Sequence, residues 1–65
     1  MTTARVENVN SGHITTVHFK DRETAAENIL LLLRRDGWRG DPADARRTLM
    51  GGGVIGHKTY RYSIL

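Results

Sequence analysis

The stretch KDRETAAENILLLLRRDGW, residues 20–38, decides the fold because it carries the apolar spacing and both end signals of a helix. Asp21 is a predicted N-cap, and Glu23 in the first turn suits the positive end of the helix dipole. Two arginines fall in the last turn, and Gly37 fits the left-handed conformation that ends many helices. The pattern therefore predicts a helix with boundaries near residues 22 and 36.

One leucine of this helix lies away from the predicted core. At about 100° per residue, the other large apolar side chains share one broad arc with two alanines: Ala25, Ala26, Ile29, Leu30, Leu32 and Leu33. Leu31 lies nearly opposite the centre of that arc. Its neighbours on the helical wheel are polar: Thr24, Glu27, Arg34 and Arg35. A lone exposed leucine is common and needs no special explanation. The alternative is that Leu31 anchors a partner protein or a dimer contact.

The segment before the helix predicts a β-hairpin. TARVENV (3–9) and HITTVHF (13–19) are rich in β-branched residues, and they flank the turn cluster NSG (10–12). Side chains alternate between the two faces of a strand. The face that carries Val17 and Phe19 is therefore predicted to pack on the core.

The segment after the helix predicts a second helix and a third strand. In GDPADARRTLMGGG (40–53), Asp41 can cap the helix and Pro42 falls at its first position, where the missing N–H costs nothing. Gly51 is predicted to end this helix. VIGHKTYRYSIL (54–65) is then predicted to form one long strand.

These elements predict a single α+β domain over residues 1–65. The expected architecture is a three-stranded antiparallel sheet with two helices on one face, in the order β-β-α-α-β. Uninterrupted alternation places the bulkier side chains of the last strand toward the helices: Val54, Lys58, Tyr60, Tyr62 and Ile64. The other sheet face would stay open and polar: Ile14, Thr16, His18, His57, Thr59 and Arg61, joined by Arg5 and Glu7. Both an ordinary solvated face and a docking surface fit this pattern.

The composition excludes several kinds of site. The 65 residues contain no cysteine, which removes a disulfide framework, a thiol nucleophile and a thiolate metal site. The histidines, at positions 13, 18 and 57, form no metal-binding motif. We therefore expect neither a metal nor a cofactor. The net charge of +3 permits nucleic-acid binding without requiring it.

The hydropathy pattern bears on location. The first residues, MTTARVENVN, contain no apolar core of a signal peptide. No apolar run approaches the roughly 20 residues that span a bilayer. We expect the protein in the cytoplasm of a bacterial host cell, without membrane association.

Arginines cluster around the end of the first helix and along the second: Arg34, Arg35, Arg39, Arg46 and Arg47. Three aspartates, at positions 36, 41 and 44, are interleaved with them and would neutralise part of their charge. One interpretation is two solvated helix faces with local ion pairs. The other is a surface that binds an acidic protein or a phosphate backbone. Trp38, just past the helix end, is expected to fold back over the core. The alternative is an exposed anchor at an interface, where tryptophan is enriched.

Two stretches resemble the HicA-type toxins. LLLRRDGW (31–38) is similar to their helix with a DGW-like end, and GHKTYRY (56–62) is similar to their glycine–histidine strand. That family cleaves RNA on a fold like that of double-stranded-RNA-binding domains, and its strand histidine is catalytic. The resemblance implies that role for His57. The chain departs from the family in its leading hairpin, its inserted short helix and its IGH sequence (55–57) in place of glycine–serine–histidine.

The outline of the chain also resembles small phage-encoded inhibitors of the anti-CRISPR kind. The shared features are small size, absence of cysteine, and a hairpin, ARVENVNSGHITTVHF (4–19), that leads into the helix RETAAENILLLLRRDGW (22–38). This resemblance implies stoichiometric binding to a CRISPR effector complex. It implies no role for any particular residue.

The leading hypothesis is a non-catalytic binding protein from a phage or mobile element that blocks a host nucleic-acid-processing complex. The predicted contact residues are Leu31, Arg34, Arg35, Arg46, Arg47, His57 and Arg61. The alternatives are an RNA-cleaving toxin that uses His57 and a small nucleic-acid-binding module. Direct contact with nucleic acid and formation of a homodimer stay open.

Overall fold

The computed structural model describes all residues, 1–65, and contains four strands rather than three. The elements are β1 (Thr2–Asn8), β2 (Ile14–Phe19), α1 (Arg22–Arg35), α2 (Pro42–Met50), β3 (Val54–His57) and β4 (Tyr60–Ile64). All neighbouring strands are antiparallel, in the sheet order β2-β1-β4-β3. The α+β class and the two helices agree with the prediction, whereas the three-stranded sheet and the order β-β-α-α-β are wrong.

A tight turn divides the predicted third strand. His57 pairs with Tyr60, so Lys58 and Thr59 form a two-residue hairpin connection. Lys58 has a φ of 54°, a left-handed conformation that is uncommon outside glycine. The favoured residues of such hairpin turns are Asn-Gly, Asp-Gly and Gly-Gly. Because neither turn residue belongs to that set, the local sequence did not indicate the break.

The turn also reverses the face assignment of β3. Ile55 pairs with Tyr62 and therefore shares its core-facing side of the sheet, together with His57. The prediction that Ile55 and His57 lie on the open face is wrong, as is the core-facing position of Val54, which is exposed. Alternation along one continuous strand puts residues an odd number of positions apart on opposite faces. A two-residue turn instead pairs such residues across the hairpin, so that they share a face.

The core lies between one sheet face and both helices. The sheet contributes Ala4, Tyr62 and Ile64, and the helices contribute Ala25, Ala26, Ile29, Leu33 and Leu49. Trp38 is half-buried against this cluster, as predicted. Val17 is on the helix side of the sheet, opposite Ala4, but it is 46% exposed because β2 is an edge strand.

The helix ends follow from the residues that the sequence indicated. The Asp21 side chain accepts a hydrogen bond from the Thr24 amide at 2.8 Å, and Asp41 accepts one from Ala43 at 2.9 Å. At the other end of α1, the Trp38 N–H donates to the Leu33 carbonyl at 2.9 Å. This is the hydrogen bond of a Schellman motif, in which a left-handed residue reverses the chain. Gly37 supplies that residue, with a φ of 85°.

The triple glycine at 51–53 closes α2 in the same manner. Gly51 is the C-cap, as predicted, and Gly52 takes the left-handed conformation with a φ of 86°. The Gly53 N–H then donates to the Thr48 carbonyl at 2.8 Å. A Cβ on Gly53 would lie 2.6 Å from the Thr48 methyl group, so this close approach requires glycine. Neither helix is long and apolar enough to cross a membrane.

Candidate protein-binding site

The outer face of α1 carries a shallow apolar groove around Leu31. The cavity has a volume of about 290 Å³, and its lining consists of Glu27, Leu30, Leu31, Arg34 and Pro42. We refer to these five residues as the Leu31 groove. The Leu31 side chain is 58% exposed, as the helical wheel predicted. Pro42 reaches the groove because α2 packs beside α1, and the sequence pattern did not predict this contribution of Pro42.

Leu32 departs from the predicted arc of core residues. It is 47% exposed, and it lines a second cavity of about 370 Å³ beside Arg35, Asp36, Tyr60 and Tyr62. The buried stripe of α1 is therefore narrower than the predicted arc, because the sheet and α2 cover only part of the surface of this helix. Two consecutive leucines of this helix, Leu31 and Leu32, consequently face solvent.

The arginine cluster divides into paired and unpaired members. Arg46 of α2 lies 3.5 Å from Glu27 and 4.0 Å from Glu23, so it joins the two helices. Arg47 lies 3.2 Å from Asp44 within its own helix. The other three arginines of the cluster form no ion pair with a carboxylate: Arg34, Arg35 and Arg39. The free positive charge is thus concentrated at the C-terminal end of α1, beside Leu31 and Leu32.

His57 contacts the same helix end from the core-facing side of the sheet. Its Nε2 is 3.1 Å from the Asp36 carbonyl oxygen and 3.3 Å from the Asp36 Oδ2. The Lys58 Nζ lies 3.3 Å from the Asp36 Oδ1. These contacts fasten the β3–β4 turn to the end of α1. His57 is mostly buried and engaged in this fastening, and the expectation that it shares an exposed edge with Arg61 is wrong.

The same carboxylate influences a buried tyrosine. Burial raises the pKa of Tyr62 above the ordinary tyrosine value, and the negative charge of Asp36 and the neighbouring Tyr60 raise it further. The two tyrosine rings lie 6.3 Å apart between centroids. The pKa is raised because the tyrosinate form would have to lose hydration beside another negative charge.

The raised pKa of Tyr62 predicts how the tyrosines of this chain ionise at high pH. We expect the absorbance at high pH to contain a component that ionises later than free tyrosine, and we expect Tyr62→Phe to remove it. Asp36→Asn should lower the pKa of Tyr62, because it deletes a negative charge. Since the folded state retains this proton longer than the unfolded state, stability should fall as the pH rises from the ordinary tyrosine pKa through the raised one. An unchanged titration curve in both variants would contradict the account.

The open face of the sheet carries Ile14, Thr16, His18, Arg61, Arg5 and Glu7, as predicted. Arg5 and Glu7 lie 3.7 Å apart, and the Thr3 hydroxyl lies 3.0 Å from the His18 Nδ1. Arg61 is therefore on the side of the sheet away from Leu31. The predicted contact residues consequently belong to different surfaces, of which the outer face of α1 holds Leu31, Arg34 and Arg35.

Comparison of the chain with protein-family models, curated proteins and solved structures gives no match. No group of three or more histidine, aspartate or glutamate side chains comes together as a metal site. The resemblances to toxins and to phage inhibitors stay predictions.

Proposed function

We propose that the chain is a non-catalytic binding protein that docks through the outer face of α1. The docking face comprises the Leu31 groove together with Leu32 and Arg35. The observation that carries this proposal is the exposure of two adjacent leucines beside arginines that have no ion-pair partner. Folding does not need these leucines at the surface, because Ile29 and Leu33 supply the buried side of the same helix.

The chemistry of the docking face favours an acidic protein surface with an apolar centre. The free guanidinium groups of Arg34 and Arg35 match carboxylates in geometry and charge, and the leucines can enter an apolar depression between them. Phosphate would satisfy the arginines equally well. The Leu31 groove itself has no aromatic ring on which a nucleic-acid base could stack, although Tyr60 and Tyr62 lie beside Leu32 and Arg35. The leucines thus favour a protein over a nucleic acid as the partner.

The partner we propose is a bacterial nucleic-acid-processing complex, such as a CRISPR effector. Support comes from the small size of the chain and from its outline of hairpin followed by helix. Surfaces that bind nucleic acid are basic, so an arginine-bearing inhibitor would contact an acidic part of such a complex. The protein would act by stoichiometric blocking, which requires no catalytic group.

An interference assay tests this target. We expect expression of the wild-type protein to restore plaque formation by a phage that the CRISPR system of the host otherwise destroys. The double variant Leu31→Ala/Arg35→Ala should lose this effect, because it removes the apolar anchor and one free cation. The matched control is Met50→Ala/Arg47→Ala, which removes an exposed apolar side chain and an exposed arginine from α2 and should keep the effect.

The outcomes separate the hypotheses. Equal protection by both double variants would contradict the docking face. Absence of protection by the wild type would contradict the CRISPR target. Growth arrest by the wild-type protein without any phage would instead favour the RNA-cleaving alternative, for which the His57–Asp36 pair is the candidate acid–base group.

A further inference from the structure

Strand β2 is an edge strand that nothing covers. Every residue from Ile14 to His18 is exposed, and the strand pairs only with β1. Natural edge strands are commonly protected by charged residues, prolines or bulges. The sequence ITTVHF (14–19) contains no proline and no Lys, Arg, Asp or Glu. This edge therefore lacks the usual protection against pairing with another strand.

The hydrogen-bond pattern shows which backbone groups are free. The Asn8 N–H donates to the His13 carbonyl at 2.8 Å, so His13 is in a hydrogen-bonded pair with β1. In an antiparallel ladder, such pairs alternate along the strand. The N–H and C=O groups of Ile14, Thr16 and His18 consequently point away from the sheet, into solvent.

We propose that β2 pairs with β2 of a second copy of this chain, antiparallel, about a two-fold axis at Thr16. Thr16 then faces the partner's Thr16, and Ile14 faces the partner's His18. Each facing pair exchanges two backbone hydrogen bonds. The free groups on one copy are thus matched by those on the other, and the two sheets become continuous. The helices of both copies lie on the same side of this sheet.

The charge distribution argues for a second copy at this edge. The facing strands carry no formal charge, and the same register places Lys20 opposite the partner's Gly12. The contact at this edge therefore meets no repulsion between like charges. The pairing through β2 is isologous, so it closes at a dimer rather than growing into a filament. It leaves both α1 docking faces free, and it does not depend on the proposed function.

Charge substitutions at Thr16 test the proposal. We expect the wild-type protein to dimerise with increasing concentration in analytical ultracentrifugation. Thr16→Lys and Thr16→Asp should each weaken the dimer on the order of tenfold or more, because like charges meet at the axis. An equimolar mixture of the two variants should restore a dimer, because lysine then faces aspartate. Folding defects in the single variants would not be repaired by mixing.

Two further measurements test which residues of β2 pair with each other and which edge strand forms the dimer. Hydrogen exchange of the backbone amides of Ile14, Thr16 and His18 should slow as the protein concentration rises. The exchange of the backbone amides of β4 should stay unaffected. Val54→Lys places a charge on the exposed side of the other edge strand, β3, and should leave the dimer intact. A wild-type protein that stays monomeric, a dimer that Thr16→Lys leaves unchanged, or growth into filaments would overturn the proposal.

Discussion

Leu33→Ala is expected to lower the free energy of unfolding by about 2–5 kcal/mol, the usual cost of truncating a buried leucine. The Leu33 side chain has no exposed surface, and it is among the largest fully buried side chains, with Ile29 and Leu49. Alanine would leave a cavity within the cluster of eight buried residues that forms the core. A domain of this length is stabilised by only about 3–10 kcal/mol in total. The variant should therefore be partly or largely unfolded at room temperature.

The matched control is Leu31→Ala, two positions earlier on the same helix. Because its side chain is mostly exposed, we expect the free energy of unfolding to change by no more than about 0.5 kcal/mol. Urea denaturation followed by circular dichroism measures both variants. Equal losses for the two would mean that Leu31 is part of the core, and the docking face would then have no basis.

Arg22→Ala is expected to lower the free energy of unfolding by about 1–3 kcal/mol, as for the loss of charge-assisted hydrogen bonds. The guanidinium Nη2 of Arg22 donates to the carbonyls of Leu49 and Met50, each at 3.1 Å. Its Nη1 donates to the Leu65 carbonyl at 3.3 Å. The last carbonyls of a helix have no partner within the helix. Arg22 therefore satisfies the end of α2 and holds the residue after β4 at the start of α1.

Arg39→Ala supplies the comparison for this prediction. Arg39 is exposed and forms no ion pair, so its loss should change stability by no more than about 0.5 kcal/mol. Arg22→Lys should lie between the two, because a point charge lacks the planar fork that reaches several carbonyls. If thermal unfolding of Arg22→Ala and Arg39→Ala occurred at the same temperature, the capping role would be refuted.

Local signals predicted the helices well, because the determinants of a helix end are close in sequence. Asp21 and Asp41 cap the helices, and Gly37 and Gly51 end them, as their positions indicated. The β3–β4 hairpin was not predicted because its left-handed turn position is occupied by Lys58 rather than by glycine or asparagine, the residues that usually indicate such a turn. Tertiary pairing imposes that turn, so no local pattern reveals it.

The candidate site was predictable only in part, for the same reason. The exposure of Leu31 follows from helical periodicity alone. The pairing of Arg46 with Glu27 depends on how α2 crosses α1, and the exposure of Leu32 depends on how much of α1 the sheet covers. The capping role of Arg22 could not be predicted from the sequence, because a cation in the first turn of a helix is unfavourable to the helix dipole. Its hydrogen bonds to distant carbonyls appear only in the folded chain.

One measurement tests the docking face most directly. The tagged wild-type protein, the Leu31→Ala/Arg35→Ala variant and the Met50→Ala/Arg47→Ala control are used to capture partners from bacterial lysate with and without nuclease treatment, and the captured proteins are quantified by mass spectrometry. We expect one protein complex, in fixed stoichiometry, that the wild type and the control retain and the Leu31→Ala/Arg35→Ala variant loses. Retention of that complex by the Leu31 variant, or its disappearance from the wild type on nuclease treatment, would contradict the account.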